Sequence, residues 1–263
     1  MYRIAGFTPG VRAASDIDAI REEFDRIIRL ANHVRSLHPL FGRFGVMDTE
    51  ISARGQALMD KMSLQDDQSA EDIAELDRLS AAPNTTFLFD APENFLKSMI
   101  TAHQRKTVDD PDAPISLSVR TDGTYEGEIE RVVYCNGRDF GSITLQMPMH
   151  DNTDFWYQNW TVMRDIMFGV MDIWKVDWIV AQPTMYVGLQ KNLFHDRRSF
   201  GWMGWTPQDL SRGANSALAR MEPHKSGTFM LLQERMMTMK APDIDACNKA
   251  EAYLLDRGAL ALL

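Results

Sequence analysis

The chain has 263 residues and a formal net charge of −9, with 44% hydrophobic and 25% charged residues, the composition of a globular protein of one large domain or two small ones. No run reaches the apolar length of a membrane span, and Met1 to Gly10 has one arginine and no apolar core, so neither a transmembrane helix nor a signal peptide is expected and the cytoplasm is the expected location. The charge argues against direct nucleic-acid binding, which needs clustered Lys and Arg, and suits either plain solubility or a basic protein partner.

Tyr2 to Thr8 reads as a strand closed by Pro9-Gly10. Ser15 with Asp18 opens an amphipathic helix. Ile20, Phe24, Ile27, Ile28, Ala31, Val34 and Leu37 form its apolar face, and Arg21, Glu22, Glu23, Asp25, Arg26 and Arg29 lie elsewhere on the wheel. His38-Pro39 stops it. Phe41 to Met47 is a short aromatic stretch. Asp48 or Thr49 then caps a helix carrying Ile51, Leu58, Met59 and Met62, and Ser69 with Asp72 caps another carrying Ile73, Leu76 and Leu79. Asp66, Asp67, Glu71, Asp72, Glu75 and Asp77 make this the most acidic region, either a solvated helix face or a binding patch. Pro83 to Asp90 reads as a loop, and Pro92 opens a helix to about Arg105. Asp109-Asp110-Pro111-Asp112 is an acidic turn.

The period then changes from helical to alternating. Ile115-Leu117-Val119, Ile129 to Tyr134 and Ile143 to Met147 read as three strands of an antiparallel meander, with turns at Asp122-Gly123 and Asn136-Gly137. From Asp154 a long apolar helix is predicted, carrying Trp156, Trp160, Met163, Ile166, Met167, Val170, Met171 and Trp174 as cover for a sheet face. Trp178 to Val180 is a strand ended before Pro183, and Met185 to Leu189 a further short strand. Ser199 to Pro207 alternates Phe200, Trp202 and Gly204 with Gly201, Met203 and Trp205, which predicts a strand covered on both faces. A helical segment from Pro207 to Arg220, a strand around Thr228 to Gln233, and a helix opened by Pro242-Asp243 and closed by Gly258 complete the chain. With no repeat and no linker, the pattern predicts one α+β domain with a central, mainly antiparallel sheet packed with helices: helix-rich over 1–110, strand-rich over 111–240, and a C-terminal helix over 241–258.

No catalytic constellation stands out. The histidines lack the i, i+4 zinc spacing, and there is no C-x-x-C, G-x-S-x-G, P-loop or G-x-G-x-x-G. Cys135 falls in an apolar strand, where burial raises a thiol's pKa, and Cys247 falls in a helix; two buried free thiols are expected, with a disulfide as the alternative. His150-Asp151 and His195-Asp196 are the pairs on which a hydrolase or transferase reading would rest. The residues favour a binding protein with no catalytic residue, cofactor or metal. Its candidate partner contacts are Asp66, Asp67, Glu71, Asp72 and Glu75, the turn Asp109, Asp110 and Asp112, and the loop Asp151 and Asp154. Trp156, Trp160, Trp174, Trp202 and Trp205 are expected to be structural.

The order of elements carries a family likeness. A first strand and helix lead into Leu37-His38-Pro39-Leu40-Phe41 and the aromatic Gly42-Arg43-Phe44-Gly45, then a helix with Ala57-Leu58, the central meander and a long helix before Trp178. Phe200-Gly201-Trp202-Met203-Gly204-Trp205, a Gly227-Thr228 strand and a last helix running into Arg257-Gly258-Ala259-Leu260 follow. Over nearly its whole length the chain resembles the immunity protein 52 family of bacterial polymorphic toxin systems, with the Gly-Trp stretch as the most telling piece. It departs from that pattern where Gly42-Arg43-Phe44 has no tryptophan and where no second tryptophan follows Trp178 closely. The resemblance implies a non-enzymatic antitoxin, made beside a secreted nuclease toxin of the type VI secretion class. Such a protein binds its toxin in the cytoplasm and blocks the active site. Homodimerisation through Met-rich or Trp-rich surface is a further alternative.

Overall fold

A computed structural model describes residues 2–9, 17–37, 44–64, 69–110, 113, 115–120, 131–136, 140–147, 159–210 and 217–263. Their strands are β1 (Tyr2–Pro9), β2 (Gly45–Met47), β3 (Asn84–Phe87), β4 (Ile115–Arg120), β5 (Arg131–Asn136), β6 (Phe140–Met147), β7 (Trp178–Pro183), β8 (Met203–Thr206), β9 (Arg220–His224) and β10 (Gly227–Leu231). Their helices are α1 (Ile17–Leu37), α2 (Thr49–Ser63), α3 (Ala70–Ser80), α4 (Pro92–Asp109), α5 (Trp160–Ile173), α6 (Thr184–Gly188) and α7 (Ala241–Asp256). The strands form one ten-stranded sheet in the order β3-β2-β4-β5-β6-β1-β7-β8-β10-β9. Every pairing is antiparallel. The predicted α+β class and the β4–β5–β6 meander are therefore present. No helix among the described residues is long and apolar enough to cross a membrane.

Strand alternation divides the sheet's centre into two faces. Ile4 of β1 is opposite Leu145 of β6 and Ala181 of β7, and Gly6 is opposite Ile143 and Ile179. This face receives α5, because a Cβ built on Gly6 would touch Val170 at 3.3 Å. Phe229 of β10 shares the face and meets Phe168 of α5 edge-on, ring centroids 5.5 Å apart. Helix α1 packs on α5, burying Ile20, Phe24, Ile27, Leu30, Ala31 and Val34 as its periodicity predicts. The two helices approach closely at Gly169, where a Cβ would lie 2.1 Å from the His33 ring. Glu23, placed on the polar side of α1 by the wheel, is instead buried. It accepts from Arg26 Nη1 at 2.7 Å and from the Trp174 indole N–H at 3.2 Å, so a charged residue can sit at this helix contact.

Helix α7 and the residues after it lie on the opposite face. Thr206 Oγ1 reaches the Ala259 carbonyl, and Cys247, a buried free thiol, contacts the Gly201 carbonyl at 3.4 Å. Gly258 ends α7 as expected: its φ is +66°, its N–H bonds Leu255 O, and Ala259 N–H bonds Leu254 O, the paired bonds of a Schellman cap.

Several sequence expectations need correction. The described apolar helix runs from Trp160, with Asn159 as its N-cap; the expected start at Asp154, and Trp156, lie outside the described residues. Met185 to Leu189 is not a strand. Pro183 closes β7, and the chain turns into α6 so that Tyr186 is buried with its hydroxyl donating to Asn248 Oδ1 at 2.8 Å. Pro83 to Asp90 is not all loop, since Asn84–Phe87 pairs with β2. The described ends of the segment Pro207 to Arg220 are not helical. Leu210 N–H donates to Thr228 Oγ1 at 2.8 Å, which holds the backbone sideways against β10, and Arg220 begins β9.

The Ser199–Pro207 stretch is a strand only from Met203. Gly201 has φ +77°, and a Cβ there would meet Gln182 Cβ at 2.4 Å. Only glycine takes that left-handed turn so close to a neighbouring strand. The turn breaks the predicted alternation before β8, yet Phe200, Trp202, Met203 and Trp205 are all buried. Met203 and Trp205 sit opposite Ala181 and Ile179, on the α5 face. Trp202 N–H bonds Ala181 O, and its indole N–H donates to Gln233 O at 2.8 Å. Replacing this fully buried indole, as in Trp202→Ala, is expected to cost roughly 3–5 kcal/mol. A denaturation midpoint equal to that of the parent protein would show that the ring does not anchor the core.

Candidate functional site

Helices α2 and α3 form the acidic feature anticipated from sequence. Asp48 caps α2 by accepting from Glu50 N–H at 2.8 Å and Ile51 N–H at 3.3 Å, and Ser69 Oγ caps α3 by accepting from Asp72 N–H. The two helices pack on each other, but only Met62 of α2 and Leu79 of α3 are buried. The remaining side chains are exposed or half-exposed, among them Met59, Ile73 and, just after α2, Leu64 at 87%. Residues 48–80 hold nine carboxylates against three cations, a net −6 of the whole chain's −9.

Two of the three cations bridge the helices, and the third pairs within α3. Arg54 bonds Glu75 at 3.0 Å, Lys61 bonds Asp72 at 2.7 Å, and Arg78 bonds Glu75 at 2.8 Å. The hydrogen bond from Lys61 holds the Asp72 carboxyl below its usual range, and that from Arg78 does the same for Glu75. These two predicted contacts therefore lock the hairpin and offer less charge outward. Glu71 stays exposed with no ion pair among the described residues, and so do Glu50, Asp60 and Asp77, which the sequence pattern did not single out as contacts.

One arginine mounts the hairpin on the sheet. Arg120, the last residue of β4, donates to Asn84 Oδ1 at 3.1 Å, to the Ser80 carbonyl at 2.7 Å and to the Ala82 carbonyl; Asn84 Nδ2 returns a bond to Arg120 O at 3.0 Å. The guanidinium's fixed fork suits several carbonyls at once. Nothing in the local sequence pattern singles Arg120 out, because its partners come from α3 and β3.

The other candidate contacts are dispersed. Asp109 ends α4 and Asp110 is its C-cap, on a different element from α3. Asp66, Asp67, Asp112, Asp151 and Asp154 lie outside the described residues, as does His150. His195 and Asp196 are exposed neighbours in a loop, and no group of His, Cys, Asp and Glu suited to a metal is present among the described residues. Trp160 is half-buried, flanked by Arg164 and Arg220 at 5.4 and 5.3 Å from its ring.

Two buried carboxylates on α7 organise the chain around β8. Glu251 accepts from Leu193 N–H at 2.7 Å and Phe200 N–H at 3.0 Å, and burial raises its pKa despite those bonds. Asp243 accepts from both Arg235 terminal nitrogens and from Thr238 N–H and Oγ1, each Thr238 bond at 2.7 Å. Burial opposes ionisation of Asp243, but the Arg235 and Thr238 bonds outweigh it and bring the carboxyl down to about 2.

No protein-family profile matches the chain, and no curated protein sequence matches it. Among solved structures it is similar to the Pseudomonas aeruginosa T6SS protein PA0821, with 8% identity and a TM-score of 0.46 over 98% of this chain and 75% of that one. A likeness at this level assigns neither function nor family.

Two measurements follow from these contacts. Because the Asp243 carboxyl is depressed in the fold, its stabilisation is complete above about pH 4 and is lost as pH falls towards 2. Asp243→Asn should destabilise the protein at neutral pH and flatten stability against pH over that window; an unchanged acid limb would mean that Asp243 is not an acid-sensitive anchor. Arg120→Ala should raise amide exchange in α3 and β3 by at least about tenfold while leaving α7 protected, since unpairing buried carbonyls costs roughly 1–3 kcal/mol.

Proposed function

We propose that this protein is an immunity protein: it binds a cognate, secreted, nuclease-type toxin of the type VI secretion class in the cytoplasm and occludes the toxin's active site. The reading begins from the resemblance to the immunity protein 52 family. The observation that carries it is the α2–α3 hairpin, whose two helices hold six carboxylates against three cations, a net −3, with most side chains facing outward. A nuclease active site is shaped and charged to receive phosphates, and outward carboxylates can take their places. The exposed Met59, Leu64 and Ile73 beside them supply apolar area for affinity, which charge alone rarely provides.

In this reading Glu50, Asp60, Glu71 and Asp77 face the partner, while Asp72 and Glu75 hold the hairpin in shape through Lys61, Arg54 and Arg78. The rigid mount through Arg120 lowers the entropy lost on docking. The protein acts by binding, with no catalytic residue and no cofactor.

The test is a double variant, Asp60→Lys with Asp77→Lys. Both positions lie towards helix C-termini, where a cation suits the macrodipole, so the fold should stay intact. Association with the toxin encoded by the adjacent reading frame should slow by about tenfold or more, with a weaker salt dependence, and protection of growth should fall. Undiminished binding by the folded variant would reject the hairpin as the contact. Turnover of an ester or nucleotide by the purified protein, abolished by His195→Ala, would reject the non-enzymatic reading.

A further inference from the structure

A cavity of about 90 Å³ lies against β1 and β7, on the face opposite α5. Its floor follows from strand register. Arg3 is opposite Gln182, and Trp178, Val180 and Gln182 alternate onto the same side of β7. Its roof is the loop between α6 and β8, which supplies His195, Arg197 and Arg198, and Leu263 closes the rim. Three arginines and a histidine thus converge in a protein of net charge −9, and among the described residues no Asp or Glu side chain lines the cavity.

The roof is rigid. Glu251 holds Leu193 N–H, Asn192 Nδ2 donates to Phe194 O at 2.8 Å, and Arg197 Nη1 donates to Leu260 O at 2.8 Å. Asp177 offsets the Arg198 charge from outside, and Ser199 Oγ donates to Gln182 Oε1 at 2.6 Å. Two donors in the walls are left over. Arg3 Nε–H and the indole N–H of the fully buried Trp178 are shielded from solvent and meet no acceptor among the described residues. Burial also works against the Arg3 charge. A shielded guanidinium Nε–H and a buried indole N–H without acceptors are costly, which marks a place where an anion would be stabilising.

We propose that this cavity is a binding site for a small phosphate group, held by Arg3, Arg197, Arg198 and the Trp178 N–H with His195 at the mouth. Guanidinium forks present several donors in fixed planes, a match for the many acceptor directions of a tetrahedral phosphate. The volume is several times the roughly 10–15 Å³ that one water requires, so a single bridging water does not fill it. The site is on a different part of the sheet from the α2–α3 hairpin, and the proposal does not rest on the immunity reading.

The experiment titrates the intact protein with inorganic phosphate, chloride being exchanged to keep ionic strength constant. It follows thermal stability and the Trp178 indole N–H resonance, identified by its loss in Trp178→Phe. A saturable rise in Tm of a few degrees and a shift of that resonance are expected. Arg3→Met should weaken phosphate binding at least tenfold and, without phosphate, be no less stable than the parent, because it removes a shielded N–H that has no acceptor among the described residues; a merely structural arginine would show the opposite. Should Arg3→Met not fold, Trp178→Phe keeps the ring and should still weaken binding severalfold. A parallel titration with ribose 5-phosphate separates the sources: tighter binding than inorganic phosphate identifies a phosphomonoester, weaker binding the free ion. The proposal is overturned by the absence of a saturable response, by a response that both variants retain, or by acetate matching phosphate.

Discussion

The carboxylate of Glu251 fixes more of this molecule than any other single group. It is buried on α7 and holds two backbone N–H groups, from Leu193 and Phe200. Between those points runs the loop that carries His195, Arg197 and Arg198, and just beyond it comes the left-handed turn at Gly201. With both ends of the loop pinned, Trp202 is set under Gln233 and β8 enters the sheet beside β7. Its oxygens are bonded to fixed amides, which offset part of the cost of burying the carboxyl; removing it would leave those amides orphaned, at about 1–3 kcal/mol each.

Charge is segregated across the fold. The acidic excess sits at one end, on helices that are held to each other by Arg54 and Lys61 and to the sheet by Arg120. The arginines of the β1–β7 cavity sit near the sheet's centre. A net charge of −9 describes neither region, because the average hides two environments of opposite sign. A basic macromolecule would be steered to the first and a small anion captured by the second.

Elements governed by local chemistry were legible. The periodicity of α1, the Ser69 and Asp48 caps, the meander of β4 to β6 and the Gly258 cap all follow from residues close in the chain. Misread elements were decided elsewhere. Met185 to Leu189 looks like a strand because its apolar residues are β-compatible, but Tyr186 turns inward to reach Asn248 on α7. The segment after Pro207 is claimed by Thr228 on β10, and Glu23 escapes the polar face of its helix through Arg26 and the Trp174 indole.

The sequence by itself determined the α+β class, an acidic surface and the position of its densest carboxylates, because composition and period survive any arrangement of the elements. Only the tertiary structure decided which carboxylates are engaged. Asp72 and Glu75 look the same as Glu71 and Asp77 along the chain, yet only the first two meet cations from α2. It also decided the cationic cavity, since Arg3 and Arg197 are distant in sequence and become neighbours only when β1 pairs with β7 and the loop folds over both. Alternation along a strand states which residues share a face; which other strand brings a charge beside them depends on pairings the local pattern does not encode.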